Sequence, residues 1–244
     1  LILSVMVKSI NVGGASDDLP PEMKRYEDAF TTAGEVMQHA LDIFNDPDFD
    51  CKSSWKLSCQ SKDVTVHYKD FKLGRYFAGR CKVNISAKDL ASDFWNNIDT
   101  NSEWNDNIKF AKRHTQITPL VDIVSYITND IMMVKSREFV SARCLREIDG
   151  SFILAGRSIS LPKEIPEKKG AVRGVLHVGL GRTTPDHEDP EHSCFYDYVL
   201  CMDLKGMMFK SAVNQVMGRS TLKDIELVRQ HAQNVIRKQL YPGL

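Results

Sequence analysis

Asp122 and Arg143 stand inside apolar strand patterns, flanked by Val121 and Ile123 and by Ala142 and Cys144. A carboxylate and a guanidinium on neighbouring strands can form a two-pronged, charge-assisted hydrogen-bonded pair and so hold a polar group of a ligand. Strand side chains alternate between faces. Val140, Ala142 and Cys144 on one face therefore send Arg143 to the other, and Val121, Ile123 and Ile127 do the same for Asp122. Taken alone, alternation turns both charges to solvent. They meet an enclosed space only if the second face of the sheet is covered too.

Other reactive patterns are weaker. No GxSxG elbow, HExxH or phosphate-binding loop occurs, and Gly179-Leu180-Gly181 has no following helix or later glycine to complete a dinucleotide fingerprint. The run Asp186-His187-Glu188-Asp189-Pro190-Glu191-His192 has the composition of a metal site. A proline-broken loop does not fix converging ligands, so a solvated acidic turn is expected. No catalytic group, metal or cofactor is expected. Lys plus Arg and Asp plus Glu both total 32, which argues against nucleic acid as a partner. The 6 cysteines form no CxxC pair and read as free thiols of a reducing compartment, which places the protein in the cytoplasm.

The elements that must position these residues follow from periodicity. Glu22 to Phe44 reads as a helix, with Tyr26, Phe30, Ala33, Met37 and Leu41 on one face and Asn45-Asp46-Pro47 stopping it. Strands are expected at Trp55–Gln60, Val64–Tyr68 and Arg75–Ile85, then a short helix over Ala87–Ile98. Six more strands follow: Ile108–Thr118, Leu120–Thr128, Glu138–Ile148, Phe152–Leu161, Val172–Leu180 and Cys194–Leu204. Asp203-Leu204-Lys205-Gly206 then makes a turn into a long amphipathic helix from Met207 to Leu240. Consecutive strands on short turns imply antiparallel pairing, hence an α+β fold of about nine strands. Leu1 to Ile10 is apolar but short of the roughly 20 residues of a membrane span. Asn11 to Pro21 reads as a linker, so residues 1–21 are expected to be a flexible segment and 22–244 the domain.

Several ordered motifs then carry a resemblance: Glu103-Trp104-Asn105-Asp106-Asn107-Ile108, Arg137 to Arg143, Ile153-Leu154-Ala155-Gly156, and Asp203-Leu204-Lys205-Gly206 with Lys210-Ser211 and Asn214-Gln215. From about Tyr26 to Leu240 the chain resembles the START domain, a lipid-transfer module, and within it the steroidogenic acute regulatory subgroup. The overall likeness is nearest to insect, carotenoid-binding members. The resemblance implies a helix-grip fold, in which a curved antiparallel sheet wraps the C-terminal helix around an internal hydrophobic tunnel. It also implies a carboxylate–arginine pair deep in that tunnel.

Arg143 matches the family arginine. Asp122 matches the carboxylate if the turn within Asn129 to Ser136 is about two residues longer here; otherwise Val124 takes that position. Asn105, Leu154 and Leu176 match other cavity-lining positions, and Ser158, Met207, Phe209, Val213 and Val216 complete the expected ligand-binding set. The Asn129 to Ser136 turn is expected to gate the tunnel. The implied function is non-enzymatic binding and transport of one hydrophobic molecule, a carotenoid (a xanthophyll such as lutein) or, alternatively, a sterol. A monomer with transient membrane contact for loading and unloading is expected. The class rivals are a helix-grip enzyme and an interaction module with a filled core.

Overall fold

The computed structural model describes residues 8–132, 134–167, 171–206 and 209–236. In chain order the first elements are strands β1 (Ser9–Val12) and β2 (Ala15–Asp18) and helices α1 (Glu27–Phe44) and α2 (Pro47–Cys51). Strands β3 (Lys56–Gln60), β4 (Thr65–Phe71) and β5 (Gly74–Val83) follow, then helices α3 (Ala87–Asn96) and α4 (Asn101–Trp104). Next come β6 (Ile108–Thr118), β7 (Val121–Thr128), β8 (Arg137–Ile148), β9 (Ser151–Ser158), β10 (Val172–Arg173), β11 (Val175–Pro185) and β12 (Cys194–Asp203). Helix α5 (Lys210–His231) runs on into a π-helical turn, Ala232–Ile236.

The large sheet runs β3-β4-β5-β12-β11-β9-β8-β7-β6, with the short β10 parallel to β8 and every other pairing antiparallel. The fold is α+β, as the order of strands and helices implied. Both faces of the sheet are covered. Helix α1 packs on β7, β8 and β9, where Phe30, Val36 and Met37 join Val121, Ile123, Val140, Ala142 and Cys144 in one core. Helix α5 packs on β3, β4, β5 and β12 from the other side, joining Val216, Ile225 and Val228 to Val66, Phe77 and Leu200. Close approach there needs a missing side chain. A Cβ on Gly79 of β5 would lie 2.6 Å from Ile225 of α5.

Double coverage is why alternation misleads for β7 and β8. The residues opposite the apolar face point not to water but into the space beneath α3 and α5, and β8 is buried at all but its last few positions.

The expected linker is a structured element. Residues 9–18 form a hairpin whose two-residue turn is Gly13-Gly14, with φ of 65° and 76°. Glycine pairs favour this hairpin turn because both positions need positive φ. Ile10, Val12 and Leu19 enter the core beneath α1. The apolar alternation of Ile10 and Val12 before the glycine pair is the signal that the linker assignment overlooked. The first helix also starts late, because Pro21–Tyr26 is a 3₁₀ segment.

Candidate ligand-binding site

A cavity of about 230 Å³ lies between the second face of the sheet, α3, α4 and α5. Its walls are mainly apolar, including Ile108, Val124, Leu154, Leu176, Leu200 and Val216. Arg143 and Ser141 reach it from β8, and Asn105, Asn107 and Asp224 from the α4–β6 loop and α5.

Asp122 and Arg143 are directly opposite in the β7–β8 register, and Val124 faces Ser141 instead. Of the two alternatives for the carboxylate, Asp122 is therefore the arginine's partner. Arg143 Nε donates to Oδ1 at 2.9 Å and Nη2 to Oδ2 at 2.6 Å, and Asp122 is 0% exposed. Arg113 Nε of β6 donates to Oδ2 as well, at 2.8 Å. One carboxylate thus holds two guanidinium groups, an arrangement beyond the expected pair.

Helix α3 completes the cluster. Ser86 caps its start, accepting from Asp89 N at 3.1 Å. Its last carbonyls have no intrahelical donors, and a helix C-terminus attracts cations. Arg143 donates to Phe94 O at 3.1 Å and Trp95 O at 3.4 Å, and Arg113 also donates to Trp95 O. Both guanidinium groups lie over the Trp95 ring, Arg143 at 4.9 Å from its centroid. These bonds use four of the five Arg143 donors, leaving one Nη1–H. Two positive charges against one negative leave this patch suited to an oxygen acceptor. Ser141, two residues before Arg143 on the same face, is 1% exposed and its Oγ has no partner among the described residues. Sequence reasoning missed it. A serine at alternating distance from Arg143 is the signal that was available.

A second polar group lies on α5. Asp224 Oδ1 accepts from Asn107 Nδ2 at 2.7 Å and Asn105 Nδ2 at 3.2 Å. Burial pushes its carboxyl up to about 6, against the two amide hydrogen bonds and Lys223, which pull it down. Burial likewise raises the phenols of Tyr126, Tyr196 and Tyr198. No sequence expectation included Asp224.

The other expected site residues separate into groups. Asn105, Leu154, Leu176 and Val216 line the cavity. Asp122 stands behind Arg143. Ser158 has a backbone role: β11 shifts register between Leu176 and Val178, and Ser158 Oγ accepts the Leu176 N–H at 2.8 Å. Val213 lines a neighbouring hollow of about 560 Å³ that shares Met202, Leu204 and Met217 with the first. Phe209, expected in the wall, caps the start of α5 and is 85% exposed. It lies just before the helix, so the helical periodicity that placed it on the apolar stripe does not extend to it. Met207 and Met208 lie outside the described residues.

The Asp203–Gly206 turn also has a structural account. Lys205 and Gly206 adopt positive φ, and Lys205 N donates to Asp203 Oδ1 at 2.8 Å. Arg137, at the start of β8, donates to the carbonyls of Leu204 and Lys205, and also to Lys135 O at 2.8 Å and Ser136 O at 3.2 Å. It therefore ties the β7–β8 turn, whose Ile131 and Val134 line the cavity, to the loop before α5.

The acidic loop is held by Lys82 Nζ to Asp186 at 2.5 Å and by His192 to Asp189 at 3.0 Å. Among the described residues no group of three or more metal-type ligands converges, and no helix is long and apolar enough to cross a membrane. The six cysteines are free thiols, and burial pushes those of Cys81, Cys144, Cys194 and Cys201 up to about 12.

The START domain family model matches residues 35–238. The chain belongs to the START domain family. This START domain is 36% identical over 232 residues to steroidogenic acute regulatory-like protein 1 of Caenorhabditis elegans, covering 95% of this chain and 89% of that protein. It is 26% identical to the mitochondrial steroidogenic acute regulatory protein of Danio rerio, over 80% of this chain and 67% of that one. Among solved structures, human StAR-related lipid transfer protein 5 superposes with a TM-score of 0.73 at 18% identity, covering 85% of this chain and 98% of that one. A STAR-related lipid transfer protein fragment from Xanthomonas axonopodis gives 0.63 at 16% identity, covering 74% and 99%. These two likenesses establish the helix-grip architecture of the START domain.

Proposed function

We propose that the protein binds one hydrophobic molecule in this cavity and carries it between membranes through the cytoplasm as a monomer, without chemical change. The observation that carries this is the apolar hollow with a buried, ion-paired Arg143 that keeps one free N–H beside the unpartnered Ser141 hydroxyl. Burying apolar surface supplies about 25 cal/mol per Å² without direction, and the polar patch supplies orientation. Ligand sites commonly reach roughly 300–1,000 Å³, so the cavity must widen to hold a lipid. The adjoining hollow, which shares three lining residues with the cavity, gives room for a long molecule, and a carotenoid such as lutein is the proposed cargo. A sterol is the second reading, favoured by the steroidogenic acute regulatory relatives. Titrating the protein with lutein and, separately, cholesterol tests both. A stoichiometric coloured complex with a shifted, structured absorption band supports the carotenoid. Saturable cholesterol binding without carotenoid uptake selects the sterol, and binding of neither overturns the carrier proposal.

The expected gate has a physical basis in Arg137. Loops joined by few bonds open at low cost, and Arg137 bonds the β7–β8 turn to the loop before α5. Arg137→Ala should speed ligand exchange between vesicles severalfold at unchanged fold, read by stopped-flow transfer. Unchanged rates would place the entrance elsewhere.

Membrane contact is supported by the surface around the second hollow. Phe209 protrudes, Phe71 and Leu73 are exposed in the β4–β5 turn, and Lys72, Lys205 and Lys210 stand around them. Each basic residue near an anionic surface is worth about 1 kcal/mol. Charge reversal at Lys72 and Lys210 together should weaken binding to phosphatidylserine vesicles by roughly tenfold or more, with little effect on neutral vesicles. Equal binding by wild type and variant in sedimentation would remove this face from consideration.

A further inference from the structure

Asp224 uses only half of its carboxylate. Both amide donors end on Oδ1, and Oδ2 accepts nothing from the described residues. On the same cavity wall, Trp104 Nε1 is buried and has no acceptor. Its ring is fixed by stacking on His231 at 4.2 Å between centroids, and His231 is itself bonded to Asp93 at 3.0 Å. His231 is about two turns along α5 from Asp224, and Asn105 follows Trp104 directly, so both groups are anchored to the same two elements. Trp104 Nε1 is a buried donor without an acceptor, which is costly, and Asp224 Oδ2 belongs to a half-buried carboxylate of the cavity wall that has no donor on that oxygen among the described residues. A ligand hydroxyl placed between them would satisfy both, its O–H donating to Oδ2 and its oxygen accepting from Nε1. A carboxylate or phosphate would meet the Asp224 charge and be repelled.

The Arg143 cluster is a separate place. Its partners are Asp122, Phe94 and Trp95, and it shares none with Asp224, whose partners are Asn105 and Asn107. We propose that Asp224 and Trp104, braced by Asn105 and Asn107, form a second hydroxyl-binding subsite, so that the preferred ligand is an apolar molecule bearing two separated hydroxyl groups. This rests on the carrier function proposed above and narrows its ligand class.

Three carotenoids with closely similar carbon skeletons test it: zeaxanthin with two hydroxyls, β-cryptoxanthin with one, and β-carotene with none. Hydrogen bonds to charged groups lead us to expect zeaxanthin to bind the wild type roughly ten- to hundredfold more tightly than β-cryptoxanthin. Asp224→Asn and, separately, Trp104→Phe should reduce that ratio towards one, weakening zeaxanthin far more than β-carotene. Circular dichroism and melting curves confirm that each variant is folded. Equal wild-type affinity for all three, or variants that weaken all three alike, overturns the second subsite and leaves the carrier function standing. If only sterols bind, a side-chain hydroxysterol should exceed cholesterol by a similar factor, and equality there overturns the inference too. Binding of no carotenoid and no sterol overturns both proposals.

Discussion

Asp122→Ala should destabilise the domain by about 3–5 kcal/mol, the range for removing one partner of a buried ion pair. The carboxylate is fully buried and receives Arg143 through two hydrogen bonds and Arg113 through one. Its removal leaves two guanidinium groups competing for the Phe94 and Trp95 carbonyls. Arg113 is partly exposed and can turn to water, whereas Arg143 cannot without dragging its charge through the cavity. Adding Arg143→Met to Asp122→Ala should therefore recover much of the loss, because the stranded charge is gone. Urea denaturation of the two singles and the double variant measures this. A loss below about 1 kcal/mol in Asp122→Ala would show that water replaces the carboxylate. Ligand affinity should not recover in the double variant, which lacks the donor at the cavity wall.

The opposite sign is expected at Asp224. Its carboxyl is raised from 3.8 to about 6 by burial. Between those values the folded protein holds a proton that the unfolded chain has released. Stability therefore falls as pH rises through this window, and above about pH 6 the folded state carries the full cost of charging this half-buried group. A shift of this size corresponds to about 3 kcal/mol at most. Asp224→Asn removes the charge and keeps an oxygen for Asn105 and Asn107. The unliganded variant should thus melt higher than the wild type at pH 7.5, by roughly 2–4 °C for each kcal/mol gained. The advantage should shrink towards pH 4. Scanning calorimetry at several pH values decides it, and a gain independent of pH would mean that the carboxylate is not the cause.

Much of this was legible in the sequence. The strand series, the turn before α5 and the α+β order follow from periodicity and from turn residues. Arg143 came from motif likeness, because alternation alone sent it outward; covering of the second face by α3 and α5 is a long-range fact that no local window contains. The N-terminal hairpin was lost because a Gly-Gly pair was read as flexibility, although its neighbours alternate. Asp224 is absent from the expected site because the amphipathic reading of the last helix leaves its charged residues on the outer side. Yet it lies four residues before Val228 and eight after Val216, inside the apolar stripe of α5. A carboxylate on that stripe was the available signal. Phe209 failed for the reverse reason, as an apolar residue just outside the helix whose period was used to place it.

Met202, Leu204 and Met217 line both hollows. Two of the three are thioethers, with rotatable unbranched chains. Rotamer changes take far less time than domain motions, and they leave the backbone hydrogen bonds of β12 and α5 intact. Rotation of these three side chains is therefore a low-cost way to change the space at the boundary of the two hollows. If the protein carries a hydrophobic cargo as proposed, single substitutions at these three positions should reset the longest molecule it accepts without touching the scaffold.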